Sequence, residues 1–313
     1  MKSYPDSILQ KIAALEKKYA EMGQDMTSYL DGLLYANVLT YWDYLNLDTL
    51  LSIQKPKTNF KDEMVFITYH QMTELMFHLI IHECEQLCFT EDVSVDRWLK
   101  HLSRINRYYR HLISSFDIMI QGLEKDEFKK FRMALLPSSG FQSAQYRKIE
   151  IYSTGLRQLL VNNQRNQFGT EATIDILYEN LYWKFSNREL KSGKKTLTLK
   201  MFEDKYDSEL HNLAKKLEKH HIYYLYAHAS ITLSEDAEIA NQLRAFDVNA
   251  NLLWPLAHYG AANQFLKDKH EVLVATGGTN WQSYLPPYHQ KILFFPSLWS
   301  EQETAQWGKT PPR

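Results

Sequence analysis

Phe66, His70, Thr73 and Phe77 are separated by steps of four, three and four residues. On a helix such steps nearly complete whole turns, so the four side chains share one narrow band. A histidine on this otherwise apolar stripe must find a partner if it is buried. It either satisfies itself on a carbonyl, as core histidines do, or offers one directional bond to a ligand in a pocket. The same stretch carries Glu74, His78 and His82 at successive spacings of four, an arrangement that can ligate a metal. These three lie on a different face from His70 and form no HExxH pattern, so a polar or subunit-facing side is the simpler expectation.

Two further places have chemical potential. In Phe128-Lys-Lys-Phe-Arg132, followed by Leu135-Leu-Pro-Ser-Ser-Gly-Phe-Gln142, Phe128, Phe131 and Leu135 make an apolar face beside a loop of small residues. Pro137 stops one helix and the Ser138-Ser139-Gly140 turn begins the next. Backbone N–H groups at that start, with the planar fork of Arg132, suit a carboxylate; the alternative is an ordinary helical turn with a solvated arginine. The third place is Trp254-Pro-Leu-Ala-His258, where a histidine one turn beyond a tryptophan, in an apolar setting, is able to ligate haem iron.

Long helices have to position these residues. Glycine (11) and proline (9) are sparse, and no proline falls between Pro56 and Pro137 or between Pro137 and Pro255. Breaker-free stretches dense in Leu, Ile, Tyr, Glu and Lys read as helix. The clearest runs from Ser94, a candidate N-cap, to Gly122, with Val95, Trp98, Leu99, Leu102, Ile105, Tyr109, Leu112, Ile113, Phe116 and Ile120 on one stripe. Similar periodicity covers 61–89, 141–162, 171–185, 207–228 and 235–249. The Thr-rich piece Lys195–Leu199 is the best strand signal and suggests a small hairpin. An all-α fold follows, a bundle of long helices in a single domain over 1–313. It has an N-terminal arm over 1–39, an exposed excursion over 186–206 whose polar core is Ser186–Lys195, and a C-terminal tail over 286–313.

Composition narrows the function classes. Lys plus Arg total 36 and Asp plus Glu total 37, a formal charge of −1, which excludes a generic polyanion binder and with it nucleic acid as a partner. With 44% hydrophobic and 23% charged residues the chain is globular rather than disordered. No apolar run reaches the roughly 18 residues of a membrane span, and the first 22 residues lack the unbroken apolar core of a signal peptide. The two cysteines, Cys84 and Cys88, are four apart and would close no useful loop, so no disulfide scaffold is expected. A soluble, cytoplasmic protein without membrane partners is the expectation.

Several blocks, taken in order, carry a family resemblance: Thr40-Tyr-Trp-Asp-Tyr-Leu-Asn-Leu-Asp-Thr-Leu-Leu51, Asp62-Glu-Met-Val-Phe-Ile-Thr-Tyr-His-Gln-Met-Thr-Glu-Leu75, Phe131 through Gln145-Tyr-Arg-Lys-Ile-Glu150, and Trp254-x-x-x-His258 followed by Thr276-Gly-Gly278. Their wording and order resemble the tryptophan 2,3-dioxygenases, histidine-ligated haem enzymes of kynurenine formation. The run Pro-Ser-Ser-Gly-Phe-Gln-Ser-x-Gln-Tyr-Arg is the most specific part.

The resemblance implies a mostly helical homotetramer binding haem b, with L-tryptophan and O2 as substrates and N-formyl-L-kynurenine as product. His258 matches the axial iron ligand, and Ser139 and Trp254 fall among the haem-binding positions. His70 matches the distal histidine that meets the indole NH, and Phe66 the residue packed on the ring, with Ile67, Thr68, Tyr69 and Phe128 beside them. Arg132 matches the arginine on the substrate carboxylate, and Thr276 the threonine that meets the ammonium and carboxylate. Tyr41 and Tyr44 match tyrosines that reach a neighbouring subunit's pocket. Phe128 stands where bacterial members often have tyrosine, and Pro255 follows Trp254 where a polar or basic residue is usual. Two other readings keep the haem: a hydroxylase of another aromatic amino acid or a substituted tryptophan, and a non-catalytic haem sensor or helical assembly protein.

Overall fold

The structure, a computed structural model, describes residues 4–35, 40–135, 138, 140–169, 171–188, 193–266 and 286–309. The chain forms two compact units, Met1–Lys55 and Pro56–Arg313. The first unit is therefore longer than the 1–39 arm read from sequence. It holds α1 (Asp6–Glu21), α2 (Met26–Tyr35), α3 (Tyr41–Leu45) and α4 (Leu47–Ser52), none of which buries a residue. Tyr19 of α1 stacks on Tyr29 of α2 with ring centres 4.3 Å apart, and local caps shape the next two helices. Thr40 caps α3, and Asn46 turns between α3 and α4 at φ 49°, a left-handed conformation that asparagine tolerates.

The second unit is all-α. Its described α-helices are α5 (Asp62–Cys88), α6 (Val95–Ser114), α7 (Phe116–Gly122), α8 (Lys125–Phe131), α9 (Ala144–Ser153), α10 (Ile174–Glu179), α11 (Tyr182–Ser186), α12 (Leu197–Lys216), α13 (Ile222–Ala227), α14 (Ile231–Ser234), α15 (Ala237–Val248), α16 (Trp254–Leu266), α17 (Pro287–Gln290) and α18 (Glu301–Gln306). Among the described residues the only extended pairings are two isolated bridges, Leu160 with Leu181 and Arg188 with Lys195. None of the described helices is long and apolar enough to cross a membrane.

The central helix α5 packs against α6 and α9, and α6 also packs against α15. Ile80, Cys84 and Leu87 of α5 meet Leu102, Ile105 and Tyr109 of α6 in the main core, the apolar stripes that the 3–4 spacing requires. Both cysteines are free thiols in this core, and burial raises their pKa values. A second cluster contains Tyr69, Phe116, Phe128, Phe131, Ala261 and Phe265, with Phe66 and Trp254 packed against it.

Several expected elements are corrected. The Ser94–Gly122 helix breaks at Ser115, where the Ser114 and Ser115 hydroxyls donate back to the His111 and Leu112 carbonyls at 3.0 and 2.8 Å; such back-bonding bends helices. Ser94 occupies the N-cap of α6 without a capping side-chain bond. The 141–162 helix stops at Ser153, since Gly155 abuts α13: a Cβ there would lie 3.2 Å from His221 Nε2. The 207–228 stretch is two helices, α12 starting well upstream and α13 capped by His221 Nδ1, which accepts from Tyr224 N–H at 3.0 Å. The 171–185 stretch likewise divides into α10 and α11. At Lys195–Leu199 only Lys195 pairs, in the single antiparallel bridge with Arg188, and no strand runs on to Leu199. Thr196 instead caps α12, accepting from Leu199 N–H at 3.2 Å, because a threonine oxygen at a helix start outweighs weak strand propensity.

The excursion over 186–206 is also shorter than expected, because Leu199 and Phe202 are buried in the main core. Nor is the C-terminal stretch a loose tail. Phe294 and Phe295 are completely buried, and their N–H groups donate to Asp247 of α15 at 2.6 and 3.0 Å. Trp299 Nε1 and Asn251 Nδ2 donate to the same carboxylate at 2.9 and 2.8 Å.

Candidate functional site

α5 carries the first half of the site. Its start is clamped to α8: the Asp62 carboxylate accepts from Glu124 N–H at 2.6 Å, while Asp62 N–H donates to Glu127 at 3.2 Å. This reciprocal bond brings the end of α8 against the first turns of α5. Phe66 then lies 6.0 Å from Phe128 and 5.7 Å from Phe131, ring centre to ring centre, and Phe128 lies 5.1 Å from Phe265 of α16. The result is an aromatic wall. Arg132, the next residue after Phe131, is 6% exposed, which discards the solvated-arginine alternative. Burial lowers its pKa from the ordinary guanidinium value, and an arginine remains cationic under such a shift.

His70 stands one turn beyond Phe66, with ring centres 4.1 Å apart. Its Nδ1 lies 2.7 Å from the Phe66 carbonyl oxygen. A carbonyl can only accept, so Nδ1 carries the proton. Burial lowers the His70 pKa, against opposing pulls from the Phe66 carbonyl and the Glu74 charge. Neutral imidazole with Nδ1–H leaves Nε2 as an acceptor. His70 keeps accessible surface although the protein around it disfavours its charge. Beside it Tyr69 is 4% exposed; burial raises its pKa, and its hydroxyl faces Ser115 and Thr73. Ile67 is half-buried and Thr68 exposed.

The second half comes from α16. Residues 249–253 form one π-helical turn joining α15 to α16, so the chain from Ala237 to Leu266 is one helix with a bulge, a feature common at functional sites. Past the bulge Trp254, His258, Ala261 and Phe265 follow steps of four, three and four toward the second cluster. Phe116 packs at 4.8 Å from Trp254 and nearly parallel to His258 at 6.0 Å. Gln264 Nε2 donates to the Ile120 carbonyl at 2.5 Å, tying α16 to α7. Burial first, and then the charge of His70, takes the His258 pKa down to about 4. A neutral imidazole is the form that ligates iron.

Gly140 faces His258: a Cβ there would stand 3.5 Å from His258 Cε1, in ordinary contact with the ring. A flat apolar slot, a neutral histidine with accessible surface and a glycine at its edge suit a haem. Ser139 and Thr276 lie outside the described residues, as do Pro137 and the Thr276-Gly277-Gly278 turn. Tyr41 and Tyr44 belong to the first unit, where they are 70% and 73% exposed.

No group of three His, Cys, Asp or Glu among the described residues converges as a metal site. Glu74, from the spacing-four series, instead accepts from Gln145 Nε2 at 2.9 Å, and the Glu74 carbonyl accepts from the same amide at 2.7 Å. Sequence reasoning did not single out Phe116, Gly140, Gln145 or Phe265 for the site. Phe116 was legible only as a core position, because the break at Ser115 that turns it toward His258 leaves no strong sequence signal.

A sequence profile of a family described as Tryptophan 2,3-dioxygenase matches residues 33–277. Proteins named Tryptophan 2,3-dioxygenase are similar over shorter segments. The one from Ruegeria sp. (strain TM1040) is 39% identical over 117 residues, 37% of this chain and 42% of that protein. The one from Bacillus thuringiensis (strain Al Hakam) is 41% identical over 122 residues, 38% and 42% of the two chains. The one from Ruegeria pomeroyi is 33% identical over 153 residues, 47% and 54% of the two. The aligned segments thus span about half, or less, of these relatives' own length.

Proposed function

The chain belongs to the tryptophan 2,3-dioxygenase family, and from that premise we propose that it converts L-tryptophan and O2 to N-formyl-L-kynurenine at a site that includes His70 and His258. The observation that carries this reading is geometric: the Phe66 carbonyl holds the His70 proton on Nδ1 and leaves Nε2 as an acceptor, beside an aromatic wall of Phe66, Phe128 and Phe131 that buried Arg132 follows.

In this reading haem b is held through His258, with Trp254 and Gly140 shaping the space around it and Ser139 contributing from outside the described residues. When bound, ferrous haem supplies the site that binds and activates O2. The protein's own residues supply recognition. Phe66 and Phe128 give the indole a flat apolar surface, with Ile67, Thr68 and Tyr69 beside them. His70 Nε2 accepts the indole N–H and so fixes which edge of the ring faces the reacting centre. Arg132 takes the carboxylate in a bidentate grip, with Thr276 as its partner for the amino-acid end. The aromatic wall excludes water from the indole, which limits competing hydrolysis of reactive species.

Assembly belongs to the proposal as well. The first unit leaves Leu33, Leu34, Tyr41, Trp42, Tyr44 and Leu51 between 57% and 76% exposed, the kind of apolar surface that marks interaction sites. A homotetramer in which Tyr41 and Tyr44 reach a neighbouring copy's site accounts for it. Light scattering measures the mass, and a monomer of full activity defeats this part.

The decisive experiment is turnover of L-tryptophan under ¹⁸O2. Two labelled atoms in formylkynurenine support the dioxygenase. One labelled atom in a hydroxylated ring, or no product from any aromatic amino acid, replaces it with a hydroxylase or a haem sensor.

A further inference from the structure

The π turn that delivers His258 has an unusual hydrogen-bond account. Trp254 N–H reaches back five residues to the Asn249 carbonyl, passing over the Ala250 carbonyl that an ordinary α-helical register would give it. In the five-residue register the next donor, the one that would serve Ala250, belongs to residue 255. That residue is Pro255, which has no N–H. The Ala250 carbonyl therefore has no helical donor at either register, and Ala250 is completely buried, where water does not supply one. Tyr146 fills the gap: its hydroxyl, from α9, donates to the Ala250 oxygen at 3.0 Å. The Tyr146 ring meanwhile packs 5.4 Å from Phe77, which lies 5.5 Å from Trp254. The turn is pinned on another side by Asn249 Nδ2, which donates to Asn106 Oδ1 at 3.0 Å.

We propose that Tyr146 is a positioning residue for His258, its hydroxyl replacing the backbone donor that Pro255 lacks and so holding the π turn that sets where α16 points the ligand histidine. The positioning role rests on the proposed haem site; the tyrosine–proline relation does not. Tyr146 acts through the helix and touches neither substrate nor cofactor in this account. Without its hydroxyl the turn has a buried orphan carbonyl, and the local remedy is to open or slip toward another register, which rotates every residue beyond it.

The test is a cycle of Tyr146→Phe and Pro255→Ala, read by hydrogen–deuterium exchange of peptides covering 249–262 and by titration with hemin. Tyr146→Phe keeps the ring against Phe77 and removes only the hydroxyl. It is expected to speed exchange in that stretch by about tenfold, the ordinary worth of one such bond, with α5 and α6 unchanged. It should also weaken hemin binding and shift or broaden the iron–histidine stretching band of the ferrous protein. Pro255→Ala returns an N–H to the chain, so in that background Tyr146→Phe should change neither readout. Equal effects in both backgrounds, acceleration spread over all helices, or no effect of Tyr146→Phe alone overturn the proposal; the last two need no proline variant that folds. Faster exchange with unaltered hemin binding and stretching band overturns the positioning role. A wild-type chain that takes up no hemin overturns the functional reading instead, and the exchange comparison still decides the tyrosine–proline relation.

Discussion

His70 Nδ1 lies 2.7 Å from the carbonyl oxygen of Phe66, the residue one helical turn earlier. That bond decides the tautomer: the proton sits on Nδ1, and Nε2 is left as an acceptor. It also holds the imidazole 4.1 Å from the Phe66 ring, so the acceptor and the flat surface for an indole move as one body.

An orienting acceptor predicts a specific phenotype. His70→Ser should leave measurable turnover of L-tryptophan, because Phe66 still holds the ring and Arg132 the carboxylate. An essential general base is worth about 10²–10⁴-fold. Steady-state rates with L-tryptophan and 1-methyltryptophan, which has no N–H, separate the roles. The wild type should favour tryptophan, and His70→Ser should narrow that preference.

Arg132 is buried beside the aromatic wall, where one ammonium cannot make the two parallel bonds of a guanidinium. Arg132→Lys should raise KM for L-tryptophan by at least about tenfold, the worth of one charge-assisted bond. Tryptamine, lacking the carboxylate, should be turned over at a rate little altered by the change. Equal losses on both substrates would make Arg132 structural.

His258→Ala should abolish the Soret band of the reconstituted protein, or make it depend on added imidazole occupying the vacated space. The apoprotein should keep its helical circular dichroism, since Phe116 and Trp254 pack against each other without the imidazole. An unchanged Soret band would remove His258 from the iron.

Asp247 gives an inverted pH dependence. Burial raises its pKa to about 6, despite four donors that pull it down. The folded state therefore binds this proton more tightly than the unfolded chain. Its stabilising share is fully present below about pH 4 and is lost as pH rises through 6, a change of about 3 kcal/mol. Asp247→Asn removes that slope. The wild type's advantage over the variant, measured by urea unfolding, should be largest near pH 4 and smaller at pH 7. A difference that is constant or grows with pH refutes the assignment.

The long helix of α5 and the stripe shared by Phe66, His70 and Phe77 were legible in the sequence because helical period is a local property, written in spacing alone. So was the order of blocks that resembles the dioxygenase family. Tertiary structure decided the rest. Whether His70 satisfied itself on a carbonyl was open from its neighbours in the chain; the fold puts Nδ1 on the Phe66 carbonyl and leaves Nε2 as an acceptor. The bend at Ser115, the cap at Thr196 and the burial of Phe294 and Phe295 depend on groups far away in sequence, whose competition with local propensity no short window contains. The π turn over 249–253 that joins α15 to α16, with Tyr146 of α9 on the Ala250 carbonyl, lies furthest out of reach. Spacing records which residues share a face; only packing records which faces meet.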